Sequence, residues 1–188
     1  NPARWRGHLD EMLPKPAKGK KVKHHPALPF DEIGDFCAAV RKQIGTSARA
    51  MEFTILTACR TGEVLGARWE EVDFEGKVWT IPAERMKNNR PHRVPLVPAA
   101  LAILNGQEGV DSILVFPGAK LGRPLSDMAM LTLLRRMNRN DITVHGFRST
   151  FRDWAAEKTD YPREVAEIAL AHIAGNAVET AYRRSDLF

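Results

Sequence analysis

Six side chains spread along this sequence carry the groups needed to attack a phosphodiester. They are two arginines, two histidines, a lysine and a tyrosine: Arg60, Arg148, His145, His172, Lys87 and Tyr182. A guanidinium group can contact two phosphate oxygens at once, and a lysine or histidine can donate a proton to a leaving oxygen. A tyrosine can be the nucleophile if its surroundings lower its pKa, ordinarily near about 10, or a base removes its proton. The set predicts metal-independent cutting and rejoining of DNA strands.

The segment that begins at His145 has the periodicity of an amphipathic helix. At about 100° per residue, His145, Arg148 and Arg152 fall within a sector of about 60°, so they can approach one small target together. Arg152 is therefore a candidate for contact with DNA. The opposite side carries three aromatic residues, which we expect to anchor the helix in the core: Phe147, Phe151 and Trp154. A solvated polar face is the simpler explanation of an isolated His-x-x-Arg motif.

Arg60 follows an apolar run at residues 53–59 and precedes Thr61, Gly62 and Glu63. A guanidinium group at the end of a buried helix needs an anion, because burying it unpaired costs much free energy. Glu63 could be that anion in an internal ion pair without further function. Alternatively, Glu63 supports Arg60 while the remaining guanidinium donors face a phosphate group.

Lys87 lies in a basic segment, residues 84–91, that we predict to be an exposed turn. A generic solvated lysine is the simpler interpretation. In the functional interpretation the lysine enters the site and donates a proton, for which its pKa must fall from about 10.4. Three arginines in or beside this segment are candidates for contact with DNA: Arg85, Arg90 and Arg93.

Tyr182 is one of two tyrosines, and the other is Tyr161. Tyr161 lies beside Pro162 at a predicted helix start, where a packing or capping role is expected. Tyr182 shares a helical face with Val178 and Ala181, so an amphipathic core tyrosine is an alternative to a nucleophile.

Composition and length favour one compact domain. The chain has 188 residues, of which 44% are hydrophobic, and a net charge of +5 that suits a polyanionic partner if it is concentrated on one face. Cys37 and Cys59 lack disulfide or Cys-x-x-Cys spacing, so we expect buried, reduced thiols. No apolar run suits a membrane span or signal peptide, which predicts a cytoplasmic protein. Neither metal-ligand spacing nor a phosphate-binding loop is recognisable, so we expect no metal site and no cofactor.

Residues 1–29 are rich in proline and lysine and predict an extended basic linker, followed by the main domain at 30–188. Five of its lysines could strap across a phosphate backbone: Lys15, Lys18, Lys20, Lys21 and Lys23. A solvated leader without this role is equally compatible with the composition. Because the chain begins at Asn1, we expect it to be part of a longer protein.

The pattern of the remaining residues predicts an α+β fold, mainly α-helical with a small antiparallel sheet of three strands. We expect strands on both sides of the turn at 75–77 and a third strand at 92–96. Helices are predicted from Phe30, at about 48–59, 98–104 and 126–138, and in three segments after His145 that separate near 159–162 and 174–176.

In this order, the six residues and their local strings resemble the catalytic domain of the tyrosine recombinases, the phage integrase family, especially integrases of satellite phages and genomic islands. The strings are Cys59-Arg60-Thr-Gly-Glu63, Glu84-Arg-Met-Lys87, Pro91-His-Arg-Val-Pro-Leu96, His145-Gly-Phe-Arg148 and Leu170-Ala-His172. The resemblance implies that Arg60, Arg148 and His172 bind the scissile phosphate, with Glu63 supporting Arg60. It further implies that Lys87 is the general acid, that His145 assists proton transfer, and that Tyr182 attacks to give a 3′-phosphotyrosyl bond.

The resemblance also implies partners and a domain context. Double-stranded DNA containing attachment sites would be the substrate, and a tetramer would form on it, although this chain alone could be a monomer. Residues 1–29 would be the tail of a core-binding domain, and integration of a prophage or genomic island would be the outcome. Two alternatives stay open: a type IB topoisomerase-like enzyme, and a catalytically silent DNA-binding module.

Overall fold

A computed structural model of the protein describes residues 25–120 and 122–172. Three sets of predictions fall outside these residues: the nucleophile Tyr182, the lysines at 15–23, and the helix expected after residue 176.

Helix α2 is central to the fold, and more than half of its residues are buried. In the described residues they are α1 Ile33–Arg41, α2 Thr46–Thr57, α3 Thr61–Leu65, α4 Pro98–Gln107, α5 Ala129–Arg136, α6 Gly146–Lys158 and α7 Arg163–Ala169. Helix α2 contacts α1, α3, α4 and α5, and its Ala50, Met51 and Phe53 belong to the core. It ends at Ala58, whose φ of 51° is the left-handed conformation that terminates helices.

The predicted three-stranded antiparallel sheet is confirmed. Its strands are β1 Val72–Asp73, β2 Val78–Ile81 and β3 His92–Pro95, in the order β1-β2-β3. Trp79 at the centre of the sheet is fully buried, and its ring lies 5.4 Å from that of Phe53 on α2. The sheet therefore packs on the central helix, and the connection between β2 and β3 is anchored to the core by Met86.

The helix boundaries differ from the prediction by a few residues. The predicted helix from Ser126 begins at Ala129, because residues 126–128 form a turn in which the Ser126 carbonyl accepts a hydrogen bond from the Ala129 amide. The short helix α3 was not expected from the sequence. It has only five residues, too few for a periodic pattern to be visible.

Of the three aromatic residues of α6 that were predicted to be buried in the core, only Phe147 is. Phe147 is buried against Phe36 with ring centroids 5.2 Å apart, whereas Phe151 is half-buried and Trp154 is 43% exposed. Phe151 and Trp154 contact each other at the rim of the domain. Helix α6 also packs against the turn at Phe30–Glu32 and against α7, and its first two turns are more completely buried than its last.

Residues 25–29, expected to be the end of a linker, pack against the folded body. Leu28 is only 2% exposed and belongs to the core. The Pro26 carbonyl accepts a hydrogen bond from the Thr143 amide, and the Leu28 carbonyl accepts one from the Thr150 hydroxyl. These bonds place the start of the folded body ahead of residue 30.

Both cysteines, Cys37 and Cys59, are buried free thiols, as predicted. Burial raises the pKa of the Cys59 thiol to about 12, so it stays protonated at neutral pH. Within residues 25–120 and 122–172, no helix has the length and apolar character needed to cross a membrane.

Candidate active site

Arg60 lies where α2 gives way to α3, and Glu63 holds it there. One oxygen of the Glu63 carboxylate accepts a hydrogen bond from the Arg60 amide, and the other accepts one from Nη1 of Arg60, both at 2.7 Å. The carboxylate is buried, whereas the Arg60 side chain is 25% exposed. The ion pair suggested by the sequence is present, and part of the guanidinium group still faces outward.

Arg148, in the first turn of α6, is buried with only 5% of its surface exposed. Its guanidinium group donates to the carbonyls of Ala58 and Leu170, the latter at 2.6 Å. The left-handed residue that ends α2 therefore supplies one of these acceptors. Burial, followed by the charge of Arg60, lowers the pKa of Arg148. The two guanidinium groups are close enough to interact electrostatically.

His172 contacts Arg148 on one side and Glu167 on the other, and Glu167 in turn contacts Arg152. Nε2 of His172 lies 3.1 Å from Nη2 of Arg148, and its Nδ1 lies 2.7 Å from Oε2 of Glu167 on α7. Oε1 of Glu167 accepts a hydrogen bond from Nε of Arg152 at 2.9 Å. Arg152, predicted from the sequence to contact DNA, thus directs at least one donor to a protein carboxylate.

His145 immediately precedes α6 and is exposed at the rim of the same site. Its ring lies tilted against that of His25, with centroids 4.6 Å apart and an interplanar angle of 59°. Burial, and then the charges of His25 and Arg148, lower the pKa of His145 below its ordinary value. At neutral pH the ring is therefore uncharged and can accept a proton or pass one on.

These residues line one open cavity of about 420 Å³. Its walls include His25, His145, Arg148, Arg152, Glu167 and His172. Three of the six predicted site residues line it, His145, Arg148 and His172. Arg60 is not among the lining residues, but its charge acts on Arg148 and His145. The helical sector predicted from the sequence for His145, Arg148 and Arg152 therefore does converge on one place.

Lys87 does not line this cavity. It is exposed in the turn between β2 and β3. Arg90 and Arg93 are also exposed. Lys87 thus lies on the exposed side of the connection between β2 and β3, residues 82–91, which forms an arm beside the sheet.

Arg85, predicted to contact DNA, points inward. Its guanidinium group pairs with the carboxylate of Glu71 and donates to the backbone carbonyl of Glu63. Glu71 also accepts a hydrogen bond from the indole N–H of Trp79. The Arg85 side chain is 21% exposed, so its contacts favour a structural role at the base of the arm that carries Lys87.

Sequence reasoning missed His25, His92 and Glu167. His92, on β3, shares a hydrogen bond with the Ala169 backbone, and burial lowers its pKa. A signal for His92 existed, because strand alternation places it on the same side as buried Val94. His25 and Glu167 reach the cavity only through tertiary packing, which no local pattern reports.

In the described part of the chain, no group of three or more histidine, cysteine, aspartate or glutamate side chains could hold a metal ion. Two guanidinium groups, of Arg148 and Arg152, and three imidazole rings line the cavity together with the carboxylates of Asp153 and Glu167. The arginine donors suit the oxygens of a phosphate group.

Comparison with known proteins gives a consistent result. The phage integrase family matches residues 27–187. The chain is 35% identical over 185 residues to prophage integrase IntA of Escherichia coli K12, covering 95% of this chain and 44% of IntA. It is 32% identical over 183 residues to the integrase of Enterobacteria phage P4, covering 86% of this chain and 42% of that protein. The chain thus spans less than half the length of these curated relatives.

Solved structures show the same fold. A lambda integrase fragment, residues 75–356, crystallised as a dimer bound to a COC′ core site, superposes with a TM-score of 0.63 at 19% identity. The match covers 92% of this chain and 63% of that one.

Proposed function

The chain belongs to the phage integrase family, and we propose that it is the catalytic domain of a site-specific DNA recombinase. It would cleave and rejoin double-stranded DNA at attachment sites through a 3′-phosphotyrosyl intermediate, and so integrate a prophage or genomic island. The curated relatives it resembles are named as prophage and phage integrases, which supports this assignment.

The observation that carries the proposal is the meeting of His145, Arg148 and His172 in one cavity, with Arg60 near enough for its charge to act on Arg148. A cavity built from these groups suits a dianionic, pentacoordinate phosphorus centre, whose extra charge appears only in the transition state. A unit charge at about 4 Å contributes about 4 kcal/mol at an effective dielectric of about 20. Two arginines can therefore supply the electrostatic stabilisation that a metal ion supplies elsewhere.

In the proposed reaction, Arg60 and Arg148 bind the non-bridging oxygens of the scissile phosphate and His172 assists them. The phenol oxygen of Tyr182 forms a bond to phosphorus while the bond to the 5′ oxygen breaks. The phenol proton passes to the uncharged ring of His145, and Lys87 protonates the departing 5′ oxygen. Reversal of these steps with a 5′ hydroxyl as nucleophile reseals the strand. The energy of the bond is kept in the intermediate, so no nucleotide cofactor is needed.

The proposed partners are DNA and further copies of the chain. The solved lambda integrase fragment is a dimer on a core site, which supports assembly of this chain as a homo-oligomer, with a tetramer on paired sites. We infer that residues 1–24 follow a core-binding domain and that Lys15, Lys18, Lys20, Lys21 and Lys23 contact the phosphate backbone. Arg90 and Arg93 would extend this contact from the arm. Removing residues 14–23 should weaken DNA binding and flatten its salt dependence.

The decisive experiment is covalent capture on a nicked suicide substrate that contains the cognate site. The native chain should yield a protein–DNA adduct, and Tyr182→Phe should abolish it. The matched control is Tyr161→Phe, since Tyr161 is 71% exposed on the surface and should be dispensable. An adduct that persists in Tyr182→Phe would refute the assignment of the nucleophile. Supercoil relaxation without joining of two sites would instead indicate a topoisomerase.

A further inference from the structure

Glu167 lies between Arg152 and His172 in the cavity, and its carboxylate contacts both side chains. Its Oε2 is 2.7 Å from Nδ1 of His172, and its Oε1 accepts a hydrogen bond from Nε of Arg152 at 2.9 Å. Arg163, one helical turn earlier, lies 3.6 Å from the same Oε1. The carboxylate is thus held by two arginines and directs its other oxygen at the histidine.

The contacts on the two sides of the His172 ring determine which nitrogen carries the proton. An ionised carboxylate can only accept hydrogen bonds, so Nδ1 must be the donor to Glu167. Burial opposes the charge of Glu167, but the hydrogen bonds from His172 and Arg152 outweigh it and the pKa of Glu167 is lowered. On the other side, Arg148 can only donate, so Nε2 facing it must be an acceptor.

We propose that Glu167 is a positioning residue that holds His172 as the Nδ1-protonated tautomer, with the lone pair of Nε2 directed at Arg148 and the cavity. The consequence for catalysis rests on the function proposed above. In this tautomer Nε2 cannot donate to a phosphate oxygen until it takes up a proton. The Nδ1–H bond to Glu167 fixes the orientation of the ring while Nε2 faces the cavity. Glu167 thereby prepares His172 for its contact with the transition state.

The first test reads the tautomer directly in the DNA-free chain. Long-range proton–nitrogen correlation spectra of the ¹⁵N-labelled protein distinguish protonated from unprotonated ring nitrogens, and His172→Gln identifies the signals of His172. The native chain should show a protonated Nδ1 and an unprotonated Nε2, and Glu167→Gln should change this signature. Glu164→Gln is the matched control, because Glu164 is an exposed glutamate on the same helix. A protonated Nε2 with a bare Nδ1 in the native chain would overturn the proposal.

The second test asks whether Glu167 acts through His172. In single-turnover adduct formation, Glu167→Gln should be slower by about tenfold to a hundredfold, as is typical of residues that orient a functional histidine. The double variant Glu167→Gln/His172→Gln should be no slower than His172→Gln alone. Fully additive losses would show that Glu167 does not work through His172.

These measurements separate the two proposals. If the native chain forms no adduct at all, the proposed function fails while the spectra still report the tautomer. If adducts form normally but Glu167→Gln leaves both the spectrum and the rate unchanged, only the role of Glu167 is lost. Thermal melting of each variant excludes unfolding as the cause of a slower rate.

Discussion

The two arginines beside the cavity are held in contrasting ways. Arg60 has a buried carboxylate, Glu63, as its partner and keeps part of its side chain exposed. Arg148 is buried, and its described hydrogen-bond partners are two backbone carbonyls and an imidazole. The positive charge of Arg60 is therefore neutralised by Glu63 in the absence of a ligand. The guanidinium group of Arg148 is held in place by hydrogen bonds, but none of these partners carries a negative charge.

This contrast indicates how the site can attract an anion without becoming unstable. A buried guanidinium group without a counterion costs free energy, and a bound phosphate relieves that cost. The lowered pKa of Arg148, caused by burial and then by Arg60, reflects the same cost. Arg148 is thus the residue that gains most from a phosphate group, and Arg60 the one that is already satisfied.

The largest expected effect is that of Arg148→Lys. A lysine keeps the charge but cannot bind both carbonyls and a phosphate in one plane. Single-turnover adduct formation should fall by about 10²- to 10³-fold, the range seen when one donor to a developing charge is lost. The control is Arg135→Lys on the exposed side of α5, which should react at the native rate. If Arg148→Lys retained most of its activity, the planar geometry of Arg148 would not matter.

The next effect concerns Arg85, which, like Arg60, is paired with a carboxylate of the protein. Arg85→Gln should lower the free energy of unfolding by about 1–3 kcal/mol, because Glu71 and the Glu63 carbonyl lose a charged donor. The exposed Arg90 is the matched comparison. Arg90→Gln should leave stability unchanged and reduce the salt slope of DNA binding by about 1. Denaturant unfolding and binding titrations would distinguish the two arginines, and equal effects would contradict their different placement.

A smaller effect should follow when the counterion of Arg60 is removed. Glu63→Gln should destabilise the chain by about 1–2 kcal/mol, since the amide of Arg60 at the start of α3 loses a charged acceptor. Arg60→Gln/Glu63→Gln should be less destabilised than the sum of the single variants, because the two side chains interact directly. Urea denaturation of the four proteins gives the coupling free energy. A coupling of zero would mean that the ion pair contributes nothing.

The smallest effect is a dependence of stability on pH. The pKa values of His92 and His145 lie below the ordinary 6.5 in the folded chain, in both cases because of burial first. The unfolded chain therefore binds protons first as the pH falls below 6.5, and stability should decline there. His92→Gln and His145→Gln should each make the decline between about pH 6.5 and 5 shallower. A decline that begins only near the carboxylate range, or the opposite slope, would contradict the lowered values.

Patterns of residues that are close in the sequence were sufficient to predict the sheet and several contacts of the candidate site. The turn at 75–77 and the alternation on either side of it predicted the sheet, and helical spacing brought His145, Arg148 and Arg152 together. The Arg60–Glu63 pair followed from the need of a buried cation for an anion. Each of these inferences uses residues that are close in the sequence.

The remaining features depend on contacts between distant segments. Arg85 was expected to face DNA because its neighbours are basic. Instead its guanidinium group forms an ion pair with Glu71, fourteen residues earlier in the sequence. Leu28 was assigned to a linker by its proline- and lysine-rich surroundings, although it is buried in the core. Trp154 is exposed because the packing of α6 buries its first turns, which helical periodicity alone cannot reveal.

The close approach of Pro26 to Gly146 has a mechanical consequence. A methyl group at position 146 would lie 2.1 Å from the Pro26 carbonyl oxygen, so the chain ahead of α1 and the first turn of α6 touch backbone to backbone. Tension applied to the chain ahead of His25 would be transmitted at this contact to the turn that bears His145 and Arg148. Fusions or tethers attached there would pull on the reactive centre itself, and a spacer would be needed to insulate it.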